Sequence, residues 1–270
     1  MPSDTLQFWA DDARSKRAVI LPADDGGTGD VTIVLLHSLA GRETHWEAVL
    51  EHLRPSRRAI ALTLRGHLGA PSGGDFTVPV LAADVLRTVS LRGVERFIAV
   101  AHSAGASVAI QCAAAYPERV LGLCLVDAGG DARQVPSEEA EAFLVALSSE
   151  SYEETIEASF TALLTGARPA VRDAVMRDLR ATPRETVPAV LRALREFDPI
   201  MPLQGYPGPI LAVTTSLSDS PFALHELVPK IRHVRIEGTS HWLHMDKPDE
   251  FNLLLDEFIR QVKASSGLTE

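Results

Sequence analysis

At 270 residues, 46% of them hydrophobic, the chain can bury a large core, and its length suits one α/β domain with an insertion better than two unrelated domains. A formal net charge of −10, from 26 basic and 36 acidic residues, argues against nucleic acid or anionic lipid as a partner, since both need clustered Lys and Arg. The two cysteines, Cys112 and Cys124, are too few for a disulfide framework and sit in no ligand spacing, and no apolar run reaches the roughly 18 residues of a membrane span.

Taken in chain order, the acidic residues 1–12 lack the basic n-region and apolar h-region of a signal peptide, so a cytoplasmic location is expected. Residues 18–21 read as an antiparallel edge strand before a Gly- and Asp-rich turn over 24–30. Within that turn, Gly26-Gly-Thr-Gly29 lacks the Lys of a phosphate-binding loop. Apolar, β-branched runs at 31–36, 59–62, 97–101, 120–126, 210–214 and 234–236 read as strands separated by helical patterns. That alternation predicts an α/β fold with a mostly parallel sheet and helices on both faces. The basic knot at 54–58 reads as the solvated end of a helix and its loop.

Between Asp127 and Pro209 the alternation stops and the chain reads as successive helices. Ser151-Tyr-Glu-Glu154 and Thr182-Pro-Arg-Glu185 each place a hydroxyl three residues before a glutamate, predicting capping boxes, the second with Pro183 at the first helical position. The expected organisation is a core of residues 1–127 and 203–270 carrying a helical cap over 128–202. Residues 251–262 read as an amphipathic helix, followed by a polar tail.

The sharpest motif is Val100-Ala-His-Ser-Ala-Gly105, at the junction of an apolar strand and the Ala-rich helical run 106–116. A serine on so tight a turn is strained and needs small neighbours, which Ala101 and Gly105 supply. An ordinary helix N-cap is the plain alternative for Ser103. Here the chain resembles the α/β-hydrolase superfamily, with alanine in the first small position of its G-x-S-x-G elbow. Leu36-His-Ser-Leu-Ala-Gly41 resembles the family's oxyanion loop with Ser38 in place of glycine, and Leu64-Arg-Gly-His-Leu-Gly-Ala-Pro-Ser72 resembles its R-G-H-G-x-S loop.

The resemblance implies Ser103 as nucleophile, the N–H groups of Leu39 and Ala104 as oxyanion hole, and His241, in Gly238-Thr-Ser-His-Trp-Leu-His-Met-Asp-Lys-Pro248, as general base. It places His37, Ser38, His102 and Trp242 around the substrate pocket, with the Ser38 hydroxyl able to face the substrate. His102 has a structural alternative, since the residue before the nucleophile usually points away from the reacting carbonyl. His67 is read as a packing residue, and His244 as lining the pocket or packing beneath it. The acid stays open between two aspartates. Asp219 follows the 210–214 strand and fits the order Ser, Asp, His. Asp127, at the end of the 120–126 strand, is the alternative; one subgroup of haloalkane dehalogenases and the cofactor-free quinaldine dioxygenases place an acid there.

The implied activity is hydrolysis of a small carboxylic ester or lactone through an acyl-enzyme, on a small-molecule substrate, with no metal and no cofactor. Three alternatives stand beside it: a C–C bond hydrolase or lyase, a cofactor-free oxygenase using a His/Asp pair, and a non-catalytic binding protein on the same fold. Ala106 stands where the menaquinone-pathway lyases carry an arginine, which weakens the first, while Asp127 as the partner of His241 would favour the second. A homodimer stays open.

Overall fold

A computed structural model describes residues 18–268; the acidic segment 1–12 lies outside them. The strands are β1 (Ala23–Gly26), β2 (Thr32–Leu36), β3 (Arg58–Leu62), β4 (Phe97–His102), β5 (Val120–Val126), β6 (Ile210–Thr214) and β7 (Arg232–Arg235). They form one sheet in the order β1-β3-β2-β4-β5-β6-β7, parallel except for the antiparallel edge pair β1–β3. The helices are α1 (Glu47–Leu53), α2 (Val78–Leu91), α3 (Ala104–Ala115), α4 (Ser137–Ala146), α5 (Tyr152–Leu163), α6 (Pro169–Ala181), α7 (Thr186–Glu196), α8 (Ile200–Gly205), α9 (Leu224–Leu227), α10 (Leu243–Asp246) and α11 (Pro248–Ser265).

The central strands are apolar on both faces because both faces are covered. Val34, Leu36, Ala99, Ala101, Leu123 and Leu125 face α2, α3 and α8, whereas the alternate residues Ile33, Leu35, Ile98, Val100, Cys124 and Val126 face α1 and α11. Both cysteines are buried. The edge strand β1 carries Asp24 and Asp25, which pair with Arg54 and Arg58 of the basic knot, while Arg57 pairs with Asp256 of α11.

Two expectations fail locally. Residues 18–21 do not pair as a strand, because the Val19 and Leu21 amides donate to the Asp84 and Thr88 side chains of α2; edge pairing begins after Pro22. Neither capping box forms. The Ser151 side chain makes no capping bond, and the Thr182 hydroxyl donates back to the Asp178 carbonyl (2.8 Å), so α7 starts four residues later, beyond Pro183. The helices between β5 and β6 bury their own cluster, including Ile156, Phe160, Leu164, Val175 and Val187, against Ala40 and Trp242. Among the described residues no helix is long and apolar enough to cross a membrane.

The chain leaves β2 toward β3 on one side and continues from β4 toward β5 on the other. Their carboxyl ends are in register, Leu36 opposite Ala101 and His102 opposite Val126. Such a reversal opens a crevice at the strand ends.

Candidate active site

Ser103 sits in that crevice with φ 51° and ψ −117°, a backbone conformation that side-chain-bearing residues rarely hold and that costs on the order of 1–3 kcal/mol. Its side chain makes no capping bond to α3, so the N-cap alternative is not what the turn is built for. Its N–H donates to the Val126 carbonyl (2.9 Å), tying the turn to the end of β5. Gly105 lets α3 pack against the loop after β2: a Cβ there would lie 2.5 Å from the His37 carbonyl oxygen and 2.9 Å from that of Leu36.

Val126 precedes Asp127, a fully buried carboxylate whose own backbone is left-handed (φ 38°). Asp127 Oδ2 lies 2.6 Å from His241 Nδ1. The carboxylate also accepts from the Thr215 N–H (2.7 Å), the Thr215 hydroxyl (3.0 Å) and the Ser218 hydroxyl (2.6 Å). Burial pushes its pKa up, but the hydrogen bond and charge of His241, with Ser218 and Thr215, outweigh burial and hold it below the usual carboxylate value. A carboxylate at Nδ1 fixes the proton on that nitrogen and leaves Nε2 as the basic atom. Here the geometry departs from the expectation for Asp219. That residue is half exposed and paired with Arg235, because the chain after β6 turns through a short helix that aims Thr215 and Ser218, not Asp219, at the crevice.

His241 is clamped along its backbone as well. Its N–H donates to the Leu163 carbonyl at the end of α5 (3.0 Å), and its carbonyl accepts from His102 Nε2 (2.9 Å), with the two rings 4.6 Å apart. His102, His37 and Trp242, expected around the pocket, are instead buried packing residues. His37 Nδ1 donates to the Ser38 carbonyl (2.6 Å) and its Nε2 accepts from the Leu64 N–H (2.8 Å), joining two loops. Trp242 packs on Phe160. The Ser38 hydroxyl donates to the Leu39 carbonyl (3.3 Å). The N–H groups of Leu39 and Ala104 donate to no other group among the described residues. His67 is buried against the Leu64 and Arg65 carbonyls, and His244 lies beneath His102, stacked on Trp46. Among the described residues no three His, Cys, Asp or Glu side chains converge to hold a metal ion.

A cavity of about 100 Å³ opens at Ser103, bounded by Ser107, Gly129, Gly130, Leu194, Phe197 and Leu224 among others, with no charged side chain among the described residues of its lining. None of these six was expected at the pocket from the sequence. Ser107 was within reach, one helical turn beyond Ser103, as was the glycine pair after Asp127.

Residues 33–252 match the family model described as alpha/beta hydrolase family. The chain is 25% identical over 257 residues to the sn-1-specific diacylglycerol lipase ABHD11 of Xenopus laevis, covering 87% of this chain and 81% of that protein. A shorter stretch of 86 residues, 32% of each chain, is 34% identical to the 2-heptyl-3-hydroxy-4-quinolone dioxygenase AqdC2 of Rhodococcus erythropolis. Among solved structures, the enol-lactonase from Burkholderia xenovorans LB400 superposes with a TM-score of 0.78 at 22% identity, over 89% of this chain and 96% of that one.

Proposed function

The chain belongs to the alpha/beta hydrolase family, and from that premise we propose that it hydrolyses small carboxylic esters or lactones through Ser103, His241 and Asp127. The observation that carries the reading is the 2.6 Å contact of His241 Nδ1 with a buried, otherwise satisfied Asp127, beside a serine held in a strained turn. In this reading His241 Nε2 takes the Ser103 proton as the serine oxygen attacks the carbonyl. The oxyanion is met by the N–H groups of Leu39 and Ala104, each worth roughly 2.7–4 kcal/mol in a comparable site. Collapse expels the alcohol, which leaves with the proton from His241, and water activated by the same imidazole then releases the acid. Residues 128–202 act as a cap over the crevice.

The test is kinetic and covalent. Ser103→Ala and His241→Ala should each lose nearly all ester turnover, on the order of 10⁶-fold in a comparable triad, with the fold intact by circular dichroism. A fluorophosphonate should phosphonylate Ser103 alone, with loss of fluoride and a mass increase of the reagent less HF; turnover retained by either variant would sink the reading.

One observation favours a second reading, cofactor-free oxygenation: the acid beside His241 is Asp127, and the dioxygenase AqdC2 is among the relatives. The His241–Asp127 pair would then take a proton from the substrate and molecular oxygen would be consumed. Oxygen uptake on a 3-hydroxy-4-quinolone, retained in Ser103→Ala, would favour it over hydrolysis.

A further inference from the structure

Among the described residues the crevice shows two lobes. Beside the cavity of about 100 Å³ at Ser103 lies a second, of about 10 Å³, between Ser38, Leu39, Val78, Leu81, Val108 and Val190. Two residues border both lobes, Ala104 on the floor and Leu194 on the roof. The small lobe is no larger than the roughly 10–15 Å³ that one water requires, and the larger is smaller than the ~150 Å³ apolar cavity that holds one benzene. Among the described residues neither lobe offers a free charge: the first has no ionisable side chain in its lining, and of the two bordering the second, Arg65 is pinned by Asp84 (2.7 and 2.8 Å) and His67 is held neutral by burial.

Leu194 belongs to α7, and α7 is held over the crevice by the Thr186 hydroxyl, which donates to the Gly66 carbonyl (2.7 Å). Val190 and Ala193 on the same helix also border the small lobe, so the wall is helical and fixed rather than a loop tip. We propose that Leu194 is the specificity-determining partition of this crevice: it confines the substrate to the lobe at Ser103, selecting short, uncharged acyl groups, and its side chain is what keeps the small lobe closed to a longer chain. The inference rests on the ester-hydrolase reading for its reaction and on the two-lobed geometry for its specificity.

The experiment compares kcat/KM on p-nitrophenyl acetate, butyrate and octanoate, and on a butyrate analogue ending in a carboxylate. The parent should prefer butyrate to octanoate, and to the carboxylate analogue, at least tenfold. Leu194→Ala should raise the octanoate-to-acetate ratio at least tenfold, and Leu194→Phe should lower the butyrate-to-acetate ratio. A ratio within twofold of the parent in Leu194→Ala, or a parent that prefers octanoate or the carboxylate analogue, overturns the proposal. The binding of four- and eight-carbon methyl ketones to Ser103→Ala and to Ser103→Ala/Leu194→Ala reads the same preference without turnover. Retention of ester turnover by Ser103→Ala would instead strike the hydrolase reading, leaving the ketone ratio to decide the role of Leu194.

Discussion

One carboxylate oxygen of Asp127 faces His241 and the other meets the Thr215 N–H and the Ser218 hydroxyl, so the side chain can neither turn away nor easily take a proton. Replacement by asparagine keeps the size but puts an amide where His241 needs an acceptor, forcing the imidazole to the other tautomer. Asp127→Asn should therefore lose turnover by roughly 10⁴-fold, as a misplaced tautomer does in a comparable triad. Asp219→Asn removes only an exposed ion pair with Arg235, of the kind worth about 0–1 kcal/mol, and should keep kcat/KM within about tenfold of the parent. The reverse ranking in steady-state kinetics would show that the imidazole answers to a different acid during turnover. Chain order alone favoured Asp219, and order cannot see which way a short turn points its side chains. The serine at 218, one residue away, is the one that reaches the crevice.

The meeting of α3 with the loop after β2 decides whether Ala104 and Leu39 can face one reacting oxygen. Gly105 is a point of close approach, with the His37 carbonyl 2.5 Å from where a Cβ would stand, and that neighbour is backbone, unable to rotate aside. Gly105→Ala should push the helix and loop apart by a few tenths of an ångström or more and cost at least tenfold in kcat, with KM for a short ester changed less. Unaltered kcat in a folded Gly105→Ala would mean that the two N–H groups do not act together. This element was legible in the sequence because its steric demand is local: a small residue on each side of Ser103, an apolar strand before, an Ala-rich helix after. The central strands were legible for a similar reason, being apolar on both faces. What was hidden depends on distant partners. Val19 and Leu21 have strand-like side chains, yet Asp84 and Thr88 some 65 residues away take their amides; Thr182 has the spacing of a cap, yet the preceding helix claims its hydroxyl. The wall residue Leu194 belongs to a helix whose placement over the crevice is fixed by contacts such as that of Thr186 with Gly66, which no local pattern announces.

Across the whole molecule, the core buries several histidines as neutral groups. Burial pushes His37, His102 and His244 well below the ordinary imidazole range and His67 down to about 4. In the unfolded chain each takes up a proton below about pH 6.5, while the folded protein resists it, so the unfolded state binds more protons and acid favours unfolding. The stability is present in full above about pH 6.5 and declines as pH falls toward each folded pKa, by up to about 1.4 kcal/mol per pH unit for each such histidine. His244 is the clearest case: it is 1% exposed and stacked on Trp46 at 4.2 Å. Replacing it with phenylalanine keeps an aromatic ring against Trp46 and removes one group that protonates only on unfolding. Urea unfolding at pH 8 and pH 5 should show that His244→Phe loses less stability between the two than the parent does, whatever the packing change costs at pH 8. Because the quantity read is the difference between two pH values, a misfit of the larger ring cancels from it. Equal losses in the two proteins would mean that His244 can be protonated without unfolding, and that the core around Trp46 opens to water before the rest of the chain gives way.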